Sequence, residues 1–246
     1  MSTVGSLLGG RLIYRQLATG HRTGIEPVLL AAAVAAQPGQ AVLEAGTGAG
    51  AGLLCLAQRV ALGVGVGLER DPALAALAAA NIRANGFEAC AVVVGDVTAA
   101  PLGRGRFDQV MANPPWFDPA NTPSPDPLRR LARVAQGAGI AGWIVDLAVL
   151  LRPRGSLTMI VPASRLADML DGYAQARLGG VQLLPLWPRA GRAAKLMIGQ
   201  GRLGARGPLR MCAGLALHEG GGFSAAAERI LREGAAFDWQ SVGQAE

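Results

Sequence analysis

A chain of 246 residues, 51% hydrophobic and 16% charged, carries enough apolar material for one folded α/β domain with additions, which excludes general disorder. No apolar run is long enough to span a bilayer, the start lacks a leader pattern, and Cys55, Cys90 and Cys212 lack disulfide or zinc spacing, so membrane, secreted and metal-binding classes are set aside and cytoplasm is expected. A net charge of +6 suits a polyanionic partner, although all but one of the 23 basic residues are arginine, a skew that genome composition also produces.

Residues 7–36 open with arginines and continue into an apolar helix begun near Pro27. From 41 onward, short apolar runs ending in Gly or Asp alternate with Ala/Leu-rich stretches. Strands are expected at 41–45, 64–69, 90–95, 107–112, 156–161 and 181–186. Helices are expected at 50–61, 72–84, 128–135, 140–151 and 164–176. This alternation predicts a mostly parallel sheet with helices on both faces. Residues 193–201 and 210–219 read as two further strands with little between them, an antiparallel finish. The expected organisation is an N-terminal extension on the substrate side at 1–40, a catalytic domain at 41–235 and a loosely held tail at 236–246.

The first strand runs into "VLEAGTGAGAG". Gly46, Gly48 and Gly50 allow a tight turn and a close backbone approach to a ligand, and a helix begins directly afterwards. Glu69 closes the next strand at the offset of an acidic residue that holds ribose hydroxyls. A nucleoside cofactor at the carboxyl edge of the sheet follows. Residues 46–51 also fit the dinucleotide fingerprint, so an NAD-dependent oxidoreductase stays open on that motif. Glu44 would repel a pyrophosphate and suits a cationic ligand such as S-adenosylmethionine. Asp96, after the third strand, either accepts from an adenine amine or caps the next turn.

"LEAGTGAG", "GLERDP", "VGDV" and "MANPPW" in this order resemble the successive motifs of class I S-adenosylmethionine-dependent methyltransferases. The resemblance implies a Rossmann-like α/β fold built on a seven-stranded sheet, with S-adenosyl-L-methionine as cofactor. It places Glu44, Gly46 and Gly48 at the methionine part, Glu69 at the ribose and Asp96 at the adenine. Thr47, Gly50, Arg70, Val97 and Asn113 complete the expected cofactor set.

The corner Asn113-Pro114-Pro115-Trp116 ends the fourth strand. An exocyclic amine is a poor nucleophile while its lone pair is delocalised into a ring. Two rigid acceptors, Asn113 Oδ1 and the Pro114 carbonyl, favour the pyramidal nitrogen, and the prolines fix their geometry. Trp116 and Phe117 offer faces on which a base stacks. The resemblance of this corner to the family's motif implies N-methylation of adenine, cytosine, guanine or glutamine.

The flanks "LLGGRLIYRQLATGHRTGIEPVLLAAAV" and 188–219 resemble those of bacterial tRNA (adenine-N6) methyltransferases acting beside the anticodon of valine tRNA, with Glu26 and Trp116 as departures. The resemblance implies tRNA as partner and Arg22, Thr23, Phe117 and Lys195 at the substrate. Arg11, Arg15, Arg22, Arg189, Arg192, Lys195, Arg202, Arg206 and Arg210 are candidates for a phosphate-binding rim. His21 reads as a loop hydrogen-bonder, His218 as structural and Trp143 as core. The rivals are a glutamine-N5 methyltransferase, the oxidoreductase and a non-catalytic nucleotide-binding module.

Overall fold

The computed structural model describes residues 2–18, 23–115 and 139–239. The expected helix at 128–135, with Arg22, Trp116 and Phe117, lies outside the described residues. The chain opens with two antiparallel strands, β1 (Ser2–Leu7) and β2 (Leu12–Leu17), followed by helix α1 (Glu26–Ala33). Strands β3 (Ala41–Ala45), β4 (Val64–Glu69), β5 (Cys90–Val94) and β6 (Phe107–Ala112) then alternate with α2 (Ala51–Arg59) and α3 (Pro72–Ala84). After the corner come α4 (Gly139–Ala148), β7 (Leu151–Pro162), α5 (Leu166–Gln175), β8 (Leu178–Arg189) and β9 (Leu196–Leu203). The chain closes with β10 (Arg210–Met211), β11 (Leu215–Glu219), β12 (Gly222–Phe223) and α6 (Ala225–Glu233).

The main sheet has ten strands in the order β12-β11-β8-β9-β7-β6-β3-β4-β5, with β10 also on β8. Its inner seven, from β8 to β5, are the doubly wound sheet expected from the motifs, and β9 is antiparallel to both β7 and β8. The segment 210–219 differs from the expectation. It forms two short strands, β10 and β11, that both run parallel to β8, and the antiparallel partner of β11 is β12. Gly214, between them, takes a φ of +84° against the Trp187 ring, which breaks what reads in sequence as one apolar run.

Alternation along the strands builds a core on each face. Val42, Met111, Ile160, Leu184 and Ile198 pack beneath α1, α2 and α6. Leu43, Val110, Met159, Leu183 and Met197 pack beneath α4 and α5. Leu29 and Leu30 of α1 are fully buried, each stabilising the fold by roughly 1.5–3 kcal/mol. Residues after α6 are tied back to α1, since Phe237 N–H donates to the Ala32 carbonyl and Trp239 Nε1–H to the Ala33 carbonyl. The chain is therefore held through Trp239, beyond the point where a loose tail is expected.

Strand β2 pairs with β1 on one edge only. Its other edge is closed by side chains of α3. Asn81 Oδ1 accepts from Arg15 N–H at 2.9 Å, and Asn81 Nδ2 donates to the Arg15 carbonyl at 2.8 Å. Asn85 treats Ile13 in the same way, at 2.9 and 2.8 Å. Four residues of helix rise about 6 Å. Two residues of strand advance about 6.7 Å. Asparagines four apart on the helix therefore match alternate strand residues. Asn81 Nδ2 also reaches the Ala49 carbonyl, at 2.9 Å, inside the glycine turn. Replacing the wholly buried Asn81 by Ala strands three backbone groups, so urea unfolding of Asn81→Ala is expected to show a loss of roughly 2–4 kcal/mol. A loss below about 1 kcal/mol would contradict this account.

Candidate active site

The strand ends meet at one level. Ala45 of β3 is in register with Leu68 of β4 and with Ala112 of β6, and Glu69 is in register with Val94 of β5. The residues that follow these ends, Gly46, Asn113 and Asp96, are thus delivered to the same edge, beside Glu69. Gly46, Gly48 and Gly50 adopt φ of +68°, +56° and +89°, conformations that L side chains rarely take. Gly46 and Thr47 N–H both donate to the Leu68 carbonyl, which folds the turn over the end of β4. A Cβ on Gly48 would meet nothing within 4 Å, so the backbone there is open to a ligand.

The acidic residues expected at the cofactor have internal partners. Alternation in β3 turns Glu44 toward α2, where its carboxylate is buried and takes the Thr47 hydroxyl at 2.5 Å and Leu53 N–H at 2.8 Å. Its other oxygen lies where a Cβ on residue 52 would be, which accounts for Gly52. Glu44 thus shapes the turn from beneath, and its carboxylate does not reach the open side where a cationic ligand is expected. Burial is the main force pushing this carboxyl up, to about 7.

Glu69 bridges two loops. One oxygen accepts from Gly48 N–H at 2.8 Å and the other from Asp71 N–H at 2.9 Å. Asp71 in turn caps α3 through Ala73 and Leu74 N–H, with Pro72 in the first turn. Asp96 caps the short turn at 97–99 by accepting from Thr98 N–H and its hydroxyl, while its second oxygen faces Arg70 at 3.6 Å. These contacts, led by the Thr98 amide, hold its carboxyl below the ordinary value. Val97 is buried behind it.

At the corner, Asn113 Oδ1 is buried and has no hydrogen-bond partner among the described residues. A buried oxygen without a donor costs roughly 1–3 kcal/mol; Gln109 and Gln182 Oε1 share this state among the described residues, and it is the place of Asn113, after the carboxyl end of β6 and level with the glycine turn, that sets its oxygen apart. Pro114 is buried and Pro115 exposed. Thr23 is fixed by the N-terminal strands, its hydroxyl 2.7 Å from Tyr14 Oη and its N–H donating to Gln16.

Two residues at this edge are absent from the sequence-based set. Trp143 of α4, expected as core, is half-buried and reaches the turn: a Cβ on Gly46 would lie 3.3 Å from its Cη2. Asp146, one turn further on the same helix, has its carboxyl pushed up by burial and by the charge of Asp96. Their i, i+3 spacing on an otherwise apolar helix was the available signal.

The basic residues divide. Arg189, Arg192 and Lys195 stand at the carboxyl edge, whereas Arg202, in register with Ser156, and Arg206 lie at the far end of β9. Eight residues of strand span about 26 Å, which separates the two groups. Arg202 is moreover bound to the Arg154 carbonyl, and Arg11 to that of Glu233. The expected single rim does not form.

A model described as a methyltransferase domain matches residues 42–139. A Porphyromonas gingivalis protein named tRNA1(Val) (adenine(37)-N6)-methyltransferase is 34% identical over 172 residues, covering 66% of this chain and 67% of that one. The chain belongs to the S-adenosylmethionine-dependent methyltransferases. An Actinobacillus succinogenes protein with the same name is 32% identical over 148 residues, covering 58% of this chain and 62% of that one. A structure described as a predicted O-methyltransferase from Agrobacterium tumefaciens superimposes with a TM-score of 0.71 at 24% identity, covering 86% of this chain and 98% of that one. M. jannaschii TYW2 in complex with AdoMet gives 0.59 at 11%, over 82% and 85%. Both share the fold. The open backbone at Gly48, on a turn tied to Glu69, suits the cofactor. Among the described residues no group of three metal-binding side chains gathers, and no helix is long and apolar enough to cross a membrane.

The buried carboxyl of Glu44 has a pH signature. Below about 4.5 it is protonated in folded and unfolded chains alike. Between there and about 7 only the unfolded chain ionises readily, so stability falls as pH rises through that window. Glu44→Gln is expected to flatten the thermal-midpoint profile across this range, as read by circular dichroism. An unchanged slope would remove Glu44 as its cause.

Proposed function

We propose that this methyltransferase transfers a methyl group to an exocyclic amine, adenine-N6 of a tRNA beside the anticodon. The observation that carries the reading is the unsatisfied, buried Asn113 Oδ1 at the end of β6, next to the glycine turn across the register of Ala45 and Ala112. The names of the relatives favour tRNA adenine as the amine. In this reading residues 1–40 are a substrate-side extension, 41–235 carry the reaction, and the closing segment 236–246 takes no part in it, although it is fastened to α1 as far as Trp239. The enzyme works in the cytoplasm without a metal.

S-adenosylmethionine supplies an electrophilic methyl carbon on a sulfonium. The main chain at Gly48 leaves room for the methionine part, which Gly46 borders beside Trp143, and Glu69 and Asp96 keep lone pairs for the ribose and the adenine amine. Arg70 holds Asp96, and Thr47, Gly50 and Val97 fix the surrounding loop. Asn113 Oδ1 accepts one hydrogen of the target amine and the Pro114 carbonyl the other, drawing the lone pair out of the ring. With the cofactor bound, the nitrogen lone pair would bond to the methyl carbon as the carbon–sulfur pair is left on sulfur, and the two acceptors would hold the hydrogens of the cationic nitrogen until one is lost to water. Trp116 and Phe117 stack the base, while Arg22, Thr23 and Lys195 flank the RNA. The base must be displayed in a loop or flipped to enter.

Asn113→Ala is expected to lower turnover by about 100-fold or more, the loss typical of a removed charge-stabilising group, with S-adenosylmethionine affinity nearly unchanged in calorimetry. Collapse of cofactor binding with transfer preserved would refute the clamp. The substrate is tested by methylating total tRNA with labelled donor and separating the nucleosides. Label in N6-methyladenosine is expected. Label in another nucleoside, or only in a release-factor glutamine, would overturn the assignment.

A further inference from the structure

The turn between β8 and β9 and the end of β11 enclose an open groove of about 710 Å³. Arg189, Arg192, Lys195 and His218 line it, with Pro188 and two alanines, and none of its lining residues is acidic. The three cations are exposed, and Arg192 and Lys195 form no ion pair among the described residues.

The groove is built rather than incidental. Lys195 is pinned through its main chain: its carbonyl accepts from Ala163 N–H at 2.9 Å and its N–H donates to the Leu186 carbonyl at 3.1 Å. Arg189 spends one guanidinium nitrogen on the Gly220 carbonyl and keeps its other donors. His218 Nδ1 lies 3.1 Å from the Pro188 carbonyl, which only accepts, so Nδ1 carries the hydrogen and Nε2 remains available. The ring is steadied by stacking on Phe223, at a centroid distance of 4.8 Å.

Its position gives it meaning. The sheet order places β7 beside β6, then β9, β8 and β11, and the turn projects from the same edge as Asn113. Lys195 thus begins a row of positive charge that leads away from the corner, and three strand spacings separate β6 from β8, about 14 Å. That reach is a few nucleotides of chain. A row of cations open to solvent matches a succession of phosphates better than one small anion, which a closed cradle would hold.

We propose that this groove grips the sugar-phosphate backbone of the RNA whose base enters at Asn113. The proposal rests on the tRNA reading and adds where the strand lies. Phosphate contacts of this kind set register without reading sequence.

The experiment measures binding of total tRNA at several salt concentrations. It compares the unaltered protein, Arg192→Ala/Lys195→Ala, and Arg104→Ala/Arg106→Ala, which removes the same charge from the opposite edge of the sheet. The groove variant is expected to bind about tenfold more weakly at moderate salt, with its log–log salt slope shallower by roughly 1.5, two contacts at about 0.7–0.9 each. Its S-adenosylmethionine affinity should match that of the unaltered protein, which certifies the fold. The opposite-edge variant is expected to keep the original affinity and slope. Equal losses in both variants, or none in the groove variant, would overturn the groove while leaving tRNA as substrate. No tRNA binding by the unaltered protein would overturn the substrate reading and the groove together.

Discussion

Parallel strands that end side by side must release their chains at one edge, and what those chains do next is decided within a residue or two. Here the levelled ends at Ala45, Leu68, Val93 and Ala112 place a glycine turn, two acidic residues and the Asn-Pro-Pro corner in one row. A slip of one residue in any of these pairings would turn its core side chains to the wrong face and carry its loop out of line. The apolar alternation that fixes the register also fixes the chemistry.

Most of the polar groups at this edge are committed to one another. Glu44 supports the turn from below, Glu69 joins it to the next loop, and Asp96 closes the third. Such contacts preorganise the main chain, so a ligand meets a surface already shaped and little ordering is left to be done on binding. Asn113 Oδ1 is the contrast, a buried oxygen with no donor among the described residues. Rigid surroundings with one unsatisfied acceptor fit a catalyst that works by alignment and charge, and no strong base is needed.

Sequence was informative where local chemistry dictates structure. The alternation of short apolar runs with Ala/Leu-rich stretches marked the strands β3 to β8 and the helices α2 to α5, because a sheet covered on both faces permits little else. The glycines and prolines marked the turn and the corner, because few other residues take those conformations. Sequence said less where partners come from afar. Which way Glu44 faces depends on α2 lying above it, and the reach of Trp143 to Gly46 depends on how α4 settles on the sheet. The split of 210–219 into β10 and β11 follows from a left-handed Gly214 wedged on Trp187. The arginines near the C-terminal end looked like one cluster because sequence distance conceals the length of a strand.

The asparagine pair on α3 has a consequence for dissection of the molecule. The opening two strands own no hydrophobic interior between them. Their solidity is borrowed, through Asn81 and Asn85, from a helix some seventy positions downstream. Trimming the chain to start at β3 would leave those amides facing water, bare the apolar flank that Leu8, Leu12 and α1 now shield, and loosen Ala49 in the glycine turn. A shortened fragment would thereby lose catalytic competence along with its front end, although every motif residue was still aboard.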